Sequence, residues 1–287
     1  MKTYINLLAA GMLSLCACMS LSAQEAKEHI SKQFNVNPNS TNAVLAIYNI
    51  FGSIKVEGYN GDKVLLEIDK NITSKYPEEV TKGKQEFRFE MEQQGDSIIV
   101  YIAAPHDSRP NQQWSRNEDS KSIRYKYQLD FVVKVPHQMR LRVSTINEGN
   151  VYVKEVHGAL FVSNVNGKID VEHAKGVTKA TTVNGDVTVS YLTNPPAASN
   201  YKTINGDITV KYQNGLNADL YFKSMNGKYF TDFENVEPIS NTLEKNTETK
   251  SNSTLYKISK GNAVRIGTGG NRFNFETLNG NVYIKKS

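Results

Sequence analysis

Few groups in this 287-residue chain are placed to do chemistry. Asp186 and Asp207 follow two equivalent Asn-Gly pairs, and stacking their strands would set two carboxylates side by side, the donor set of a glycoside hydrolase or a divalent-cation site. The aligned column reads Asn150, Lys168, Asp186, Asp207, Lys228, Asn281, so the acidic pair is flanked by lysines and reads as an exposed, charge-balanced ladder. The five histidines, His29, His106, His137, His157 and His173, show no HxH or HxxxH spacing, so no metal site is expected. Gly267-Thr268-Gly269-Gly270-Asn271 lacks the following helix of a phosphate loop and reads as a turn, and no Gly-x-Ser-x-Gly elbow occurs. Recognition has a better foothold than catalysis. Trp114, the single Trp, lies in a polar stretch beside Arg109 and Arg116, and Trp and Arg anchors dominate binding energies. These three are the candidate ligand contacts, against the competing reading that Trp114 caps the core. No catalytic, cofactor or metal residue is nominated.

The elements that must carry these residues are written in a repeat. Thr182-Val183-Asn184-Gly185-Asp186-Val187-Thr188-Val189 and Thr203-Ile204-Asn205-Gly206-Asp207-Ile208-Thr209-Val210 are the cleanest copies, with others at Asn166-Gly167, Asn226-Gly227 and Asn279-Gly280. A further copy, Asn147-Glu148-Gly149, carries one inserted residue. The glycines at 149, 167, 185, 206 and 227 are spaced by 18, 18, 21 and 21 residues, the period of stacked units that cannot bury an apolar face alone. After each Gly, apolar residues alternate (Val151/Val153, Ile169/Val171, Val187/Val189, Ile208/Val210, Val282/Ile284), so each strand has one buried face. Two residues before each Asn stands Thr145, Asn164, Thr182, Thr203, Ser224 or Thr277. The apolar phase changes across Asn-Gly, so that step turns or bulges the chain. Two architectures satisfy this. One is a β-solenoid with an Asn-Gly corner in each coil and an amide ladder of Asn147, Asn166, Asn184, Asn205, Asn226 and Asn279; the other is an antiparallel meander or sandwich with Asn-Gly hairpin turns. The column regularity favours the solenoid.

Residues 1–23 read as a signal peptide, with Lys2, an apolar stretch from Ile5 to about Cys18, and small residues ending at Ala23. Cleavage there removes both cysteines; the alternative is a lipid anchor on Cys18. No later stretch is long and apolar enough for a membrane span. Residues 24–39 read as an N-terminal tail and 40–287 as a single β-repeat domain, with polar insertions near 105–122 and 235–256. The net charge of +5 is mild and interspersed with acids, which argues against nucleic acid. The 15 Tyr and 11 Phe suit strands, and no sustained helical period occurs.

Gly52-Ser53-Ile54-Lys55-Val56, the stretch from Val135-Pro136 to Val143, and the serial Asn-Gly-Asp-Ile/Val-Thr-Val copies resemble the DUF4097 family of bacterial β-strand-repeat proteins, often labelled "putative adhesins". The resemblance covers about residues 40–287. It implies a β-helix-like, exported envelope protein, in the periplasm or at the cell surface, with no catalytic motif to carry over. The expected function is that of a non-enzymatic adhesin-like binding or scaffold module for an envelope glycan or another envelope protein, in an undetermined oligomeric state. The alternatives are a carbohydrate-active β-helix enzyme and an accessory or sensory protein.

Overall fold

A computed structural model describes residues 24–37, 40, 42–110, 123–239, 243–250, 253–260 and 262–287. The leader with Cys16 and Cys18 lies outside these, as do Trp114 and Arg116. The chain opens with β1 (Gln24–Asn35), β2 (Val44–Tyr48), β3 (Ile54–Tyr59), β4 (Lys63–Ser74), α1 (Pro77–Glu86), β5 (Arg88–Gln94), β6 (Ser97–Ala104) and β7 (Lys126–Pro136). The repeats follow as β8 (Arg140–Ser144), β9 (Val151–Lys154), β10 (Leu160–Ser163), β11 (Ile169–Ala174), β12 (Thr178–Thr181), β13 (Val187–Tyr191), β14 (Ser199–Lys202), β15 (Ile208–Tyr212), β16 (Ala218–Asn226) and β17 (Tyr229–Thr231). Last come β18 (Val236–Pro238), β19 (Leu243–Lys250), β20 (Ser253–Lys260), β21 (Asn262–Ile266), β22 (Asn271–Asn279) and β23 (Val282–Lys286).

The protein is all-β apart from α1, with two large mixed sheets that do not close into a barrel. The first runs β1-β4-β7-β3-β9-β11-β13-β15-β23-β17 and the second β18-β21-β16-β22-β14-β12-β10-β8-β2-β6-β5. Inward residues of both form one hydrophobic cluster, as two layers sharing a core must. The strands flanking each Asn-Gly step lie in different sheets, and each pairs in parallel with its equivalents in neighbouring copies, as β10 does with β8 and β12 and β11 does with β9 and β13. Antiparallel strands extend the sheets at their ends, through β1 and β4 at one and β18 and β21 at the other.

The alternation read from sequence is the burial pattern found: Val187, Val189, Ile208 and Val210 are fully buried while Thr188 and Thr209 between them are not. Towards the C-terminal end, aromatic residues replace Val in the core. Tyr191 stacks on Tyr212 at 5.3 Å, Tyr212 on Phe273 at 5.4 Å, and the three buried phenols Tyr191, Tyr201 and Tyr212 satisfy one another by hydrogen bonds.

Three expectations need correction. Residues 24–35 are no tail: β1 pairs along its whole length with β4, with Ala26, Ile30 and Phe34 packed against the core. Those apolar residues recur every four positions among charges, which hid the strand. Helix α1 went unread because it is short and buries only Val80 and Gly83; Pro at its start and Glu78 and Glu79 in its first turn favour it locally. The segment 235–256 contains β18, β19 and part of β20 rather than an open loop, with β19 and β20 paired as a hairpin.

The copies do not stack in chain order. The β22–β23 copy inserts between the β14–β15 and β16–β17 copies, so Asn279 sits between Asn205 and Asn226. The long interval between Gly227 and Gly280 is therefore an excursion through β18–β21 followed by a return into the stack. In the column after Gly, Asp207 consequently neighbours Asn281 rather than Lys228.

What locks one copy on the next is the Gly carbonyl. Thr145 Oγ1 donates to Gly52 O (2.7 Å), Asn164 Nδ2 to Gly149 O (3.0 Å), Thr182 Oγ1 to Gly167 O (2.8 Å), Thr203 Oγ1 to Gly185 O (2.8 Å), Thr277 Oγ1 to Gly206 O (3.1 Å) and Ser224 Oγ to Gly280 O (3.4 Å). Each inward polar residue reaches the Gly of the preceding rung. The same approach excludes any side chain at the glycines. A Cβ on Gly185 would lie 2.3 Å from Gly167 O, and one on Gly149 2.2 Å from Gly52 O. Positive φ is not the common cause, because it occurs at Gly185, Gly206 and Gly280 but not at Gly149, Gly167 or Gly227. On the outside, the Asn side chains form a ladder, Asn166 Nδ2 to Asn147 Oδ1 (2.6 Å), Asn184 to Asn166 (2.7 Å), Asn205 to Asn184 (2.8 Å), Asn279 to Asn205 (2.7 Å) and Asn226 to Asn279 (2.8 Å). The residue inserted in the Asn147 copy, Glu148, is absorbed in a left-handed conformation at φ 56°.

This geometry ranks three substitutions. Gly185→Ala should cost about 1–3 kcal/mol, because the methyl must displace backbone rather than a flexible side chain. Thr203→Val keeps the shape but strands the Gly185 carbonyl, for about 1–2 kcal/mol. Asn184→Ala, on the exposed ladder, should cost under about 1 kcal/mol. Urea unfolding of the three variants measures the order, and an unchanged midpoint for Thr203→Val would show that the carbonyl does not depend on this hydroxyl.

Candidate functional site

Asp186 and Asp207 are neighbours on the stack, but each holds the next rung. Asp186 Oδ1 accepts from Asp207 N (2.8 Å) and Asp207 Oδ1 from Asn281 N (2.7 Å), the role that Asn150 Oδ1 plays for Lys168 N (2.9 Å) and Asn281 Oδ1 for Lys228 N (3.0 Å). Asn substitutes for Asp in this column without loss of the bond, so the bond itself requires no carboxylate chemistry.

Three histidines do converge, at the opposite edge of the stack. The His137 ring stacks on His157 at 4.7 Å, and its Nδ1 lies 2.6 Å from Glu155 O. His173 Nδ1 lies 2.6 Å from Glu155 Oε1, and His157 Nε2 lies 3.7 Å from Glu155 Oε2. Glu155 and His173 both hold left-handed φ of 56°, the local strain that turns the chain there. An open hollow of about 650 Å³ lies beside them, bordered by Tyr59, Asp62, His137 and His157. Among the described residues no group of three or more His, Cys, Asp and Glu side chains could hold a metal ion. Burial, helped by Lys175 and His137, pushes the His157 pKa down, and the hydrogen bond from His173 holds Glu155 below the usual carboxylate range.

The outward face of the second sheet has a different character. Five residues before each Asn stand, in stacking order, Arg142, Phe161, Lys179, Asn200, Asn274 and Tyr221; three before stand Ser144, Ser163, Thr181, Lys202, Glu276 and Lys223. Parity points both columns to solvent. The Arg142 guanidinium lies over the Phe161 ring at 5.0 Å, and that of Arg272 over Tyr221 at 3.7 Å. A groove of about 250 Å³ runs over Arg142, Phe161, Ser163 and Thr181, with Tyr48 and Ser108 at one end. Burial raises the Tyr48 phenol pKa, with Arg142 opposing.

Ser108 and Pro110 belong to the sequence-predicted loop. β6 pairs with β2 in the second sheet and β7 with β3 in the first, so the chain leaves β6 and enters β7 one rung before β2 and β3. The root of this loop is tied down. Ser108 Oγ donates to Tyr48 O (2.7 Å), and Arg109 closes on Asp107 (Nη2 to Oδ2, 2.6 Å) with its plane 4.2 Å above the Tyr101 ring. Hydrogen bonding to Arg109 holds the Asp107 pKa down and that to Asp107 raises the Arg109 pKa, so this arginine works as the loop's anchor. Trp114 and Arg116 follow it, outside the described residues.

Sequence reading missed Arg142, Phe161, Lys179 and Tyr48. The signal was present in the column five before Asn, but the eye follows inward columns, where residue types repeat, and outward ones vary.

No family model matches this chain, and no curated protein matches it. Among solved structures, a "putative cell adhesion protein" from Clostridium sporogenes matches with 10% identity and a TM-score of 0.43, over 91% of this chain and 100% of that one. A "putative adhesin" from Bacteroides fragilis matches with 10% identity and a TM-score of 0.27, over 91% of this chain and 98% of that one. A "putative lipid binding protein" from Parabacteroides distasonis matches with 8% identity and a TM-score of 0.24, over 90% of this chain and 96% of that one. Likeness at this level identifies neither a family nor a ligand. Among the described residues, no helix is long and apolar enough to cross a membrane.

The histidine corner sets a pH dependence. A histidine whose folded pKa is lowered resists the proton that the unfolded chain accepts, so stability falls as pH drops below the ordinary value of 6.5. Glu155, with its folded pKa lowered, contributes stability above its ordinary 4.5 that is lost as pH falls through the folded value. These two groups should therefore lower the melting temperature in two stages on acidification, the first partly offset by His29, whose pKa the hydrogen bonds to Asp69 and Glu67 raise and which adds stability as it gains its proton. His157→Gln should flatten the first stage, just below pH 6.5, and leave the second. An identical first stage in the variant would assign it to another group.

Proposed function

We propose that this chain is an exported, non-catalytic module of the bacterial envelope, a β-solenoid domain that binds a glycan or another envelope protein on the outer face of its second sheet. The observation that carries the reading is the groove at Tyr48, Arg142 and Phe161, overhung by the root of the 105–122 loop. It gathers an aromatic face, a guanidinium and repeated small hydroxyls, the mix that anchors a hydroxyl-rich or peptide ligand. Parallel pairing of successive copies and the Asn ladder support the solenoid description, and the one hydrophobic cluster, against which β1 also packs, supports a single domain that starts at β1 rather than at residue 40. Trp114 and Arg116 are the further ligand contacts this reading proposes, and Arg109 anchors the described root of their segment. The carbohydrate-active alternative would rest on Asp186 and Asp207, and their bonds to the next rung already account for both.

Phe161→Ala and Trp114→Ala should each weaken attachment to envelope material by about tenfold, near 1.4 kcal/mol, at an unchanged melting temperature. Pull-down of purified protein on envelope fractions, with circular dichroism to check the fold, makes the test. Attachment indifferent to Phe161 would remove the ligand from this face and turn attention to the first sheet, which carries Tyr152 and Tyr283.

A further inference from the structure

The outward positions of β8, β10, β12 and β14 carry Arg140, Arg142, Lys179 and Lys202 and not one carboxylate. The same four rungs of the first sheet expose Lys154 and Lys211 against Asp170 and Glu172. The mild net charge of the chain is thus unevenly spread, and the basic excess coincides with the groove. Acid returns beyond these four strands: at Glu276, which Lys202 (3.2 Å) and Lys223 (3.6 Å) neutralise, at Asp219, which Arg265 holds at 2.8 Å, and on the far side at Glu90 and Glu92 of β5.

Three further features define what would lie there. The column from Arg142 to Tyr221 crosses six strands, about 24 Å at the usual strand spacing, and offers one side chain per step. Most steps present a hydroxyl or an amide: Ser144, Ser163, Thr181, Asn200 and Asn274, with Asn274 Nδ2 donating to Asn200 Oδ1 at 2.7 Å. The backbone groups of these central strands are paired on both sides, so an acidic peptide would find no edge to extend. The exposed apolar side chains of this sheet, Ile146, Leu278 and Met225, lie in the column beside the Asn ladder, and the two columns that carry the basic residues offer a lipid surface only the Phe161 and Tyr221 rings.

We propose that the ligand is a linear polysaccharide of acidic sugars, lying across the strands along the stack, its carboxylates on Arg142 and Lys179 and its hydroxyls on the Ser, Thr and Asn side chains between them. The proposal rests on the second sheet's outer face being the binding face. Its basis is charge complementarity together with a repeating surface that matches a repeating ligand.

Binding of the full mature chain to alginate, polygalacturonate and hyaluronate, with dextran as the neutral polymer, tests it. At least one acidic polymer should bind more tightly than dextran. Its oligomers should gain affinity with length until they span the face, and added salt should weaken binding. Arg142→Gln and Lys179→Gln should each weaken it about two- to fivefold, the size of an exposed ion pair, while Lys211→Gln on the first sheet leaves it unchanged. Binding no better than to dextran for all three polymers, affinity independent of length, or indifference to Arg142→Gln and Lys179→Gln would each overturn the assignment. The two readings separate cleanly. Envelope attachment that needs Phe161 but is not competed by the acidic polymers overturns the polysaccharide and leaves the binding face standing; attachment that does not need Phe161 overturns both.

Discussion

The close approach of one Gly carbonyl to the next glycine is the constraint from which the rest of this structure follows. At each corner a side chain is excluded because its Cβ would sit within about 2.3 Å of the preceding rung's carbonyl oxygen, as at Gly149, Gly185 and Gly206. The oxygen is then too enclosed for water to serve it freely, and an inward Thr, Ser or Asn from the second sheet supplies the donor. That single contact fixes the spacing of rungs, the register of both sheets and the phase change of the apolar columns. Because it links any copy to any other, the β22–β23 pair can enter the stack between two copies that precede it in the chain.

The outer surfaces are what this lock leaves free. The position after Gly is still half committed, since Asp186, Asp207, Asn150 and Asn281 each accept the backbone N–H of the next rung. The paired carboxylates that suggest hydrolysis are thereby explained as corner bonds. Variation is tolerated on the two outward sheet faces, and only the second sheet pairs its variation with an excess of basic charge and an adjoining groove. Binding, if it uses the flat surface of a stack, then needs no cavity of the usual depth; a long ligand gains affinity by repetition.

Much of this was legible in the residues. The Asn-Gly copies marked the corners, the alternation after Gly marked the buried faces, and the column of Thr145, Asn164, Thr182, Thr203, Ser224 and Thr277 marked the inward polar residues. Other features were not. The role of those hydroxyls needs two rungs in view at once, since each bonds a glycine at least 15 residues away in the chain. The order of rungs was hidden because chain order and stacking order differ at Asn279. Strand β1 was hidden because its partner β4 supplies most of the apolar surface, and its own sequence looks like a tail. The groove was hidden because its parts come from four separate segments, with Tyr48, Arg142 and Phe161 joined by sheet pairing and Ser108 by its hydrogen bond to Tyr48 O.

The most direct measurement of the account is a solution NMR titration of the protein with solubilised envelope polysaccharide, following the aromatic rings as labels of the two faces. The account predicts that Tyr48, Phe161 and Tyr221 shift and broaden together while Tyr152 and Tyr283 on the first sheet stay in place. Shifts confined to Tyr152 and Tyr283, or to the histidines at the opposite corner, would contradict it.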